Sequence, residues 1–266
     1  MVKITDLGYL LKPRNLAFIG AVIAESSLPN TSFGNVQERV QRGLAALAEL
    51  EKPRLTAEQR AELYTNAENE LAQALKEEPD NCDALGGFGR LKTKLGDYKR
   101  AIPTLERAAD SCNREDALEA LISAYIAVRD FGNARKNIDF VLSRNKKSAS
   151  AHRQLGFIHW LNKEYKKAIA EYQEAAAIDP TMHVVYNNMA AAYEELGDLG
   201  NAMKCATQAI KINPNYASAH FELGLVYRKM GKLKDAVSQF GKAVELAPYA
   251  GNFVDELNAT KAMLRR

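Results

Sequence analysis

ASAHRQLGFIHWLNKEYKKAIAEYQEAAAIDPTM (149–182), HVVYNNMAAAYEELGDLGNAMKCATQAIKINPNY (183–216) and ASAHFELGLVYRKMGKLKDAVSQFGKAVELAPYA (217–250) align at a spacing of 34 residues without a slip. Counted from Ala149, His183 and Ala217, the fourth residues are His152, Tyr186 and His220, and the eleventh are His159, Tyr193 and Tyr227. The seventh are Leu155, Met189 and Leu223, and the eighth Gly156, Ala190 and Gly224. Alanine fills the twentieth place (Ala168, Ala202, Ala236) and the twenty-seventh (Ala175, Ala209, Ala243), and proline the thirty-second (Pro180, Pro214, Pro248). A fixed period of this length is the mark of a repeat architecture.

At 3.6 residues per turn, places 4, 7, 8 and 11 share one face of a helix, and places 20, 24 and 27 one face of a second. Gly197-Asp198 and Gly231-Lys232 break the chain between the two helices, and each proline closes its unit. Small residues at places 8, 20 and 27 allow the antiparallel helices to approach closely. One helix pair cannot bury its apolar face alone, so successive pairs must stack. These residues resemble the tetratricopeptide repeat family, which implies an all-α fold: a right-handed superhelical solenoid of stacked antiparallel helix pairs with capping helices at both ends.

Working backwards, the unit over 115–148 carries Leu118, Leu121, Tyr125, Ala134, Ile138 and Val141, but Ile122 stands where a small residue is expected and Lys146 replaces the proline. The unit over 82–114 keeps Leu85, Phe88, Gly89, Gly96-Asp97-Tyr98, Ala101, Leu105 and Ala108, and departs at Lys92 and Asn113. Residues 35–81 read as a divergent first repeat or cap. Asn35 with Glu38 and Thr56 with Gln59 each offer a capping box, and Val36, Val40, Leu44 and Leu47 form one stripe. After Pro248, Phe253, Leu257, Met263 and Leu264 mark a C-terminal capping helix over 251–266. Residues 1–34 form an N-terminal segment and linker, whose run Leu16 to Ala24 is too short to span a bilayer. It reads as a docked helix or as the core of an export signal with Val22 and Ala24 before the cut.

The 266 residues are 47% hydrophobic and 26% charged with a net charge of +3, which argues against a nucleic-acid surface and a polybasic membrane anchor. Cys82, Cys112 and Cys205 form no metal-binding spacing and are expected as reduced thiols; a Cys82–Cys112 bridge is the alternative, because both fall at one end of a single helix pair. The expected location is cytoplasmic, or periplasmic or membrane-associated if residues 1–24 act as a signal.

No catalytic constellation, cofactor or metal is expected. His152, His159 and His220 recur in core slots, with no carboxylate recurring beside them in sequence, and read as packing residues. Gly86-Gly87-Phe88-Gly89 follows no strand and lacks the Lys-Ser/Thr ending of a phosphate loop. Glu194-Glu195 reads as a solvated face.

The resemblance implies that places 2, 5, 9, 12 and 13 line a concave groove. The expected partner-binding residues there are Arg153, Phe157, Trp160, Asn187, Phe221, Leu225 and Arg228. Phe157, Trp160, Phe221 and Leu225 are large apolar residues where the core does not call for them, which suits a protein contact. The family's carboxylate clamp for acidic chaperone tails would need Lys, Asn, Asn, Lys and Arg where this chain has Arg153, Phe157, Asn188, Ser218 and Glu222. Only Asn188 matches, which argues against a chaperone-tail adaptor. The sequence therefore predicts a non-catalytic scaffold that binds another protein through the groove; alternatives are an exported or membrane-associated assembly factor and a self-associating scaffold.

Overall fold

The computed structural model describes residues 36–52, 55–112, 114–248 and 250–265. The expectations placed on residues 1–34, on Asn35 and on Asn113 lie outside them. All regular structure among the described residues is helical, and the chain divides into unit 1 (Met1–Asn137) and unit 2 (Ile138–Arg266).

Unit 1 holds α1 (Val36–Glu49), α2 (Ala57–Glu77), α3 (Cys82–Lys94), α4 (Tyr98–Cys112) and α5 (Glu115–Ala127). Helix α1 packs on α2 and α3 on α4, while α2 and α4 each pack on the helix that follows. The Thr56 capping box forms: Gln59 N–H donates to Thr56 Oγ1 at 3.1 Å and Thr56 N–H to Gln59 Oε1 at 2.9 Å. Val40, Leu47, Leu71 and Ala74 make the buried core of the first pair. Lys92, in a slot the other repeats fill with an aromatic or histidine ring, is 1% exposed. Its ammonium pairs with Glu68 and lies 5.1 Å from the centre of the Phe88 ring. Ile122 is fully buried.

Helix α6 (Phe131–Arg144) runs across the division between the units and buries Ala134, Ile138 and Val141. Unit 2 continues with α7 (Ala149–Leu161), α8 (Tyr165–Ile178), α9 (His183–Glu195), α10 (Leu199–Ile212), α11 (Ala217–Lys229), α12 (Leu233–Leu246) and α13 (Gly251–Leu264). Its pairs are α7 with α8, α9 with α10 and α11 with α12, each packed on the next, and α13 closes the stack against α12.

Close approach within a pair has one cause in the three repeats that carry glycine at the eighth place. A Cβ on Gly156 would stand 2.6 Å from the Tyr172 ring, one on Gly224 2.7 Å from the Phe240 ring, and one on Gly89 2.5 Å from Leu105. The eighth place of the first helix is empty because the twenty-fourth place of the second fills it.

The turn between paired helices also recurs. Its fifteenth place has positive φ in every complete repeat, at Gly96 (71°), Arg129 (62°), Lys163 (61°), Gly197 (77°) and Gly231 (76°). The next N–H bonds back to the carbonyl of the eleventh place, as in Asp198 N–H to Tyr193 O at 3.0 Å and Glu164 N–H to His159 O at 2.9 Å. Arg129 and Lys163 hold this shape without being glycine, because the recurring bond dictates it.

Cys82 and Cys112 are joined in a disulfide with their Cα atoms 5.6 Å apart, which corrects the expectation of three reduced thiols. The bond links the start of α3 to the end of α4, where the antiparallel pair brings its ends together. Cys205 is free and half-buried, and burial pushes its thiol up to about 11.

Two measurements follow. Gly156→Ala should destabilise the chain by about 1–3 kcal/mol in urea unfolding, because the added methyl displaces the Tyr172 ring. Reductant should lower the stability of the wild-type chain by about 3–4 kcal/mol, given a closed loop of this length, while a Cys82→Ser/Cys112→Ser variant should not respond.

Candidate functional site

The first helices of unit 2 carry all seven residues that the sequence assigns to a groove, and the structure divides them into three groups. Arg153, Phe157, Trp160 and Leu225 are part-exposed. Phe157 and Trp160, one on each side of a helical turn of α7, have ring planes 11° from parallel with centres 6.0 Å apart. Trp160 also packs on the core formed by Tyr172, Val185 and Met189, so it leans on the next repeat as well as facing outwards. Its indole N–H is buried and has no hydrogen-bond acceptor.

Phe221 is not open to a partner, which corrects its assignment as an exposed groove residue, whereas Arg228 is part-exposed but tied to the cap. Phe221 is 2% exposed, stacked on Phe253 of α13 at 4.4 Å and tilted against Phe240 at 5.5 Å. Arg228 forms an ion pair with Glu256 of α13 and sits over the Phe240 ring. The physical reason is the exposed end of the array: the capping helix needs an apolar anchor and an ionic one, and it takes both from the helix face that earlier repeats leave open. Of the residues expected to anchor the cap, Phe253 is buried, whereas Met263 and Leu264 are exposed.

Asn187 forms a third case. It is 6% exposed, and its Oδ1 has no hydrogen-bond partner. On the neighbouring helix Glu222 is 9% exposed, and its Oε1 is likewise without one. A buried carboxylate lacking a partner is costly, and the group responds by holding its proton. Burial, reinforced by Glu194 and Glu195 on α9 and opposed by Lys229, pushes the Glu222 carboxyl up to about 8. Lys229 offers little relief, because its ammonium is already bound to Glu194 at 2.8 Å. Glu194, with a side chain only 11% exposed, is therefore not the solvated residue that the sequence suggests. Sequence reasoning met Glu222 only as a mismatch to the clamp; an acid at a place occupied by Gln154 and Asn188 in the preceding repeats was the available signal.

The corresponding face of unit 1 carries an ion network, although Arg90 Nε is buried there without a hydrogen-bond partner. The Arg114 guanidinium bonds Asp116 at 2.9 and 3.1 Å and also pairs with Asp83, and Arg90 reaches Asp116 at 3.3 Å. The Arg114 hydrogen bonds hold the Asp116 carboxyl below its ordinary value despite partial burial.

The histidines also gain a reading the sequence did not supply. His152 Nδ1 lies 2.8 Å from Glu171 Oε2, and His220 Nδ1 2.9 Å from Gln239 Oε1, so the fourth place of a repeat bonds the twenty-third across the helix pair. His220 Nε2 additionally lies 3.0 Å from Pro214 O, the closing residue of the preceding repeat. His159 Nδ1 lies 2.6 Å from Glu164. Carboxylates do accompany two of the histidines, through the partner helix or the turn. Among the described residues no three His, Cys, Asp or Glu side chains come together as a metal site, and no helix is long and apolar enough to cross a membrane.

A stack of helix pairs with a capped end and an open face of first helices defines an α-helical repeat array. Tetratricopeptide-repeat family models match residues 60–125, 119–183, 195–231 and 217–250, and the chain belongs to this family. It is 32% identical over 180 residues to the small glutamine-rich tetratricopeptide repeat-containing protein 2 of Saccharomyces cerevisiae, covering 68% of this chain and 46% of that protein. It is 33% identical over 100 residues to the heat shock protein STI1 of the same organism, covering 37% and 17%. The match thus spans less than half of either relative. A solved tetratricopeptide repeat protein from Parabacteroides merdae shares the fold with a TM-score of 0.71 at 16% identity, over 93% of this chain and 91% of that one.

The ionisation of Glu222 gives a direct prediction. The folded chain keeps the proton up to about pH 8, whereas the unfolded chain loses it near pH 4.5. Between these values the folded state binds the extra proton, so stability falls as pH rises. Glu222→Gln should remove this component and stabilise the chain by on the order of 5 kcal/mol at pH 9, with little effect at pH 4. Urea unfolding of both proteins across that range checks it; equal pH profiles would refute it.

Proposed function

We propose that this chain is a non-catalytic scaffold that holds a segment of a partner protein against the first helices of unit 2. The observation that carries the reading is the Phe157–Trp160 ledge, lying on the same face as polar atoms that the fold buries and leaves unbonded. A free-standing surface would gain by bonding these groups internally, as unit 1 does with Asp83, Arg90, Arg114 and Asp116. An aromatic pair beside desolvated polar groups is the composition of an interface hot spot. The relatedness to repeat proteins, one of them named as a heat shock protein, supports a protein partner. It does not extend to the acidic-tail clamp, since Phe157, Ser218 and Glu222 stand where that site needs Asn, Lys and Arg. Arg153, Asn187 and Leu225 complete the proposed contact surface; Phe221 and Arg228 support it from beneath by holding the cap.

A second reading, an exported or membrane-associated assembly factor, is favoured by one observation. A Cys82–Cys112 disulfide persists where the surroundings are oxidising, in contrast to a cytoplasmic location. The thiol state of the protein in its native source distinguishes the two compartments, and either one leaves the scaffold reading intact.

The test is affinity capture from the native source with wild-type chain beside Phe157→Ser. The variant should keep its helicity by circular dichroism and lose the partner, with binding weakened at least about tenfold. Capture unchanged by the variant would remove the reading. Phe221→Ser is unsuitable here, since it opens the junction with α13.

A further inference from the structure

Charge on the first-helix face of unit 2 is unevenly settled. Arg228 is paired with Glu256, and Lys229 with Glu194. Glu195 is exposed at the end of α9, where the Tyr165 hydroxyl donates to it at 3.4 Å, and Glu222 is buried. Asp179, in the loop before α9, accepts from the Thr181 N–H and hydroxyl at 2.9 and 2.6 Å. Arg153 differs from all of these: it is part-exposed on α7, and no carboxylate among the described residues is bonded to it. Lys146 and Lys147, in the loop that leads into α7, are exposed and likewise have no ion-pair partner among the described residues.

The first turns of the helices explain the difference between the units. In unit 1 the acids that pair with Arg90 and Arg114 are Asp83 and Asp116, in the first turns of α3 and α5. The first turns of α7, α9 and α11 hold no acid. Arg153 therefore keeps its charge, and the aromatic ledge begins one turn further along the same helix. Phe157 follows it by four residues, about 6 Å of rise, and shares its side of α7.

We propose that unit 2 recognises an acidic residue, Asp or Glu, inside a partner segment, its side-chain carboxylate paired with the Arg153 guanidinium while an apolar residue of the same segment rests on Phe157 and Trp160. This rests on the scaffold reading above and names the chemistry of its partner. A guanidinium takes a carboxylate through two parallel hydrogen bonds, and Arg153 is reached without any part of the fold opening. An extended segment covers about 6 Å in two residues and turns both side chains to one side, which places acid and apolar residue in step with Arg153 and Phe157. Lys146 and Lys147 favour an acidic segment over a basic one. The recognised group is a side chain within the segment, in contrast to the terminal carboxylate of the clamp whose other residues this chain lacks.

The probe is a library of random linear dodecapeptides displayed on phage and panned against the full chain, the selected peptides then being synthesised with amidated C-termini. The expected outcome is a set of peptides with Asp or Glu at a fixed spacing from an aromatic or aliphatic residue. Their affinity should fall about three- to tenfold on Arg153→Gln and at least about tenfold on Phe157→Ser, both variants keeping their helicity. Replacing the acid by its amide should cost the same on wild-type chain and nothing further on Arg153→Gln. Arg153→Glu should reject the selected peptides and accept versions with Lys in place of the acid. Peptides that depend on Phe157 but lack an acid, that bind Arg153→Gln equally well, or that need a free C-terminal carboxylate would overturn the inference and leave the groove reading standing. Peptides indifferent to Phe157→Ser, or no enriched peptide at all, would overturn both.

Discussion

Three of the helix pairs depend on one contact, closure over an empty eighth place, while Ile122 and Ala190 fill that place in the other two complete repeats. Gly156 under Tyr172, Gly224 under Phe240 and Gly89 under Leu105 are one interaction made three times. A large side chain from the second helix occupies the volume that a Cβ would need, so the helices are held at a separation that neither could reach with two bulky residues. The turn at the fifteenth place follows from it. A pair this close requires an abrupt reversal, and the left-handed residue with its back-bonded N–H supplies one even where the residue is Arg129 or Lys163.

Once pairs are formed, stacking is compelled by what they expose. Ala151, Val185 and Ala219 at the third place, and Ile158, Ala192 and Val226 at the tenth, are buried, although they lie off the stripe that faces the paired helix. Each first helix is thus buried along two stripes. The remaining face is where polar side chains must find partners locally or do without. Unit 1 pairs its charges in the Arg114-centred ion network, leaving only Arg90 Nε unbonded among them, and unit 2 leaves an amide and a carboxyl, Asn187 and Glu222, without partners. Stability is lowered there for no packing benefit, which is the pattern of a surface shaped for something other than folding.

Much of this was legible in the residues. The period, both helices of each strong repeat, the capping box at Thr56 and the C-terminal cap all come from local signals: turn residues, apolar spacing and side chains that bond three residues away. Identification of the groove residues was less complete. Phe157 and Trp160 emerge where the helix wheel puts them, but Phe221, at the place of Arg153, is closed off by α13, and Arg228, at the place of Trp160, is tied to it. The wheel of one helix carries no information about whether another helix covers it. The carboxylates and amides that meet His152 and His220 were hidden for the same reason, lying 19 residues away and bonding across the pair.

The sequence by itself determined the repeat, the helix boundaries and the small residues that let helices meet, because these depend on interactions within a turn or within one 34-residue unit. Only the tertiary structure decided that Cys82 and Cys112 are bonded, that Lys92 is buried on Glu68, and that Glu222 is desolvated without a partner. Each of those depends on which neighbour removes water from a side chain, and that is a property of the stack rather than of any residue in it.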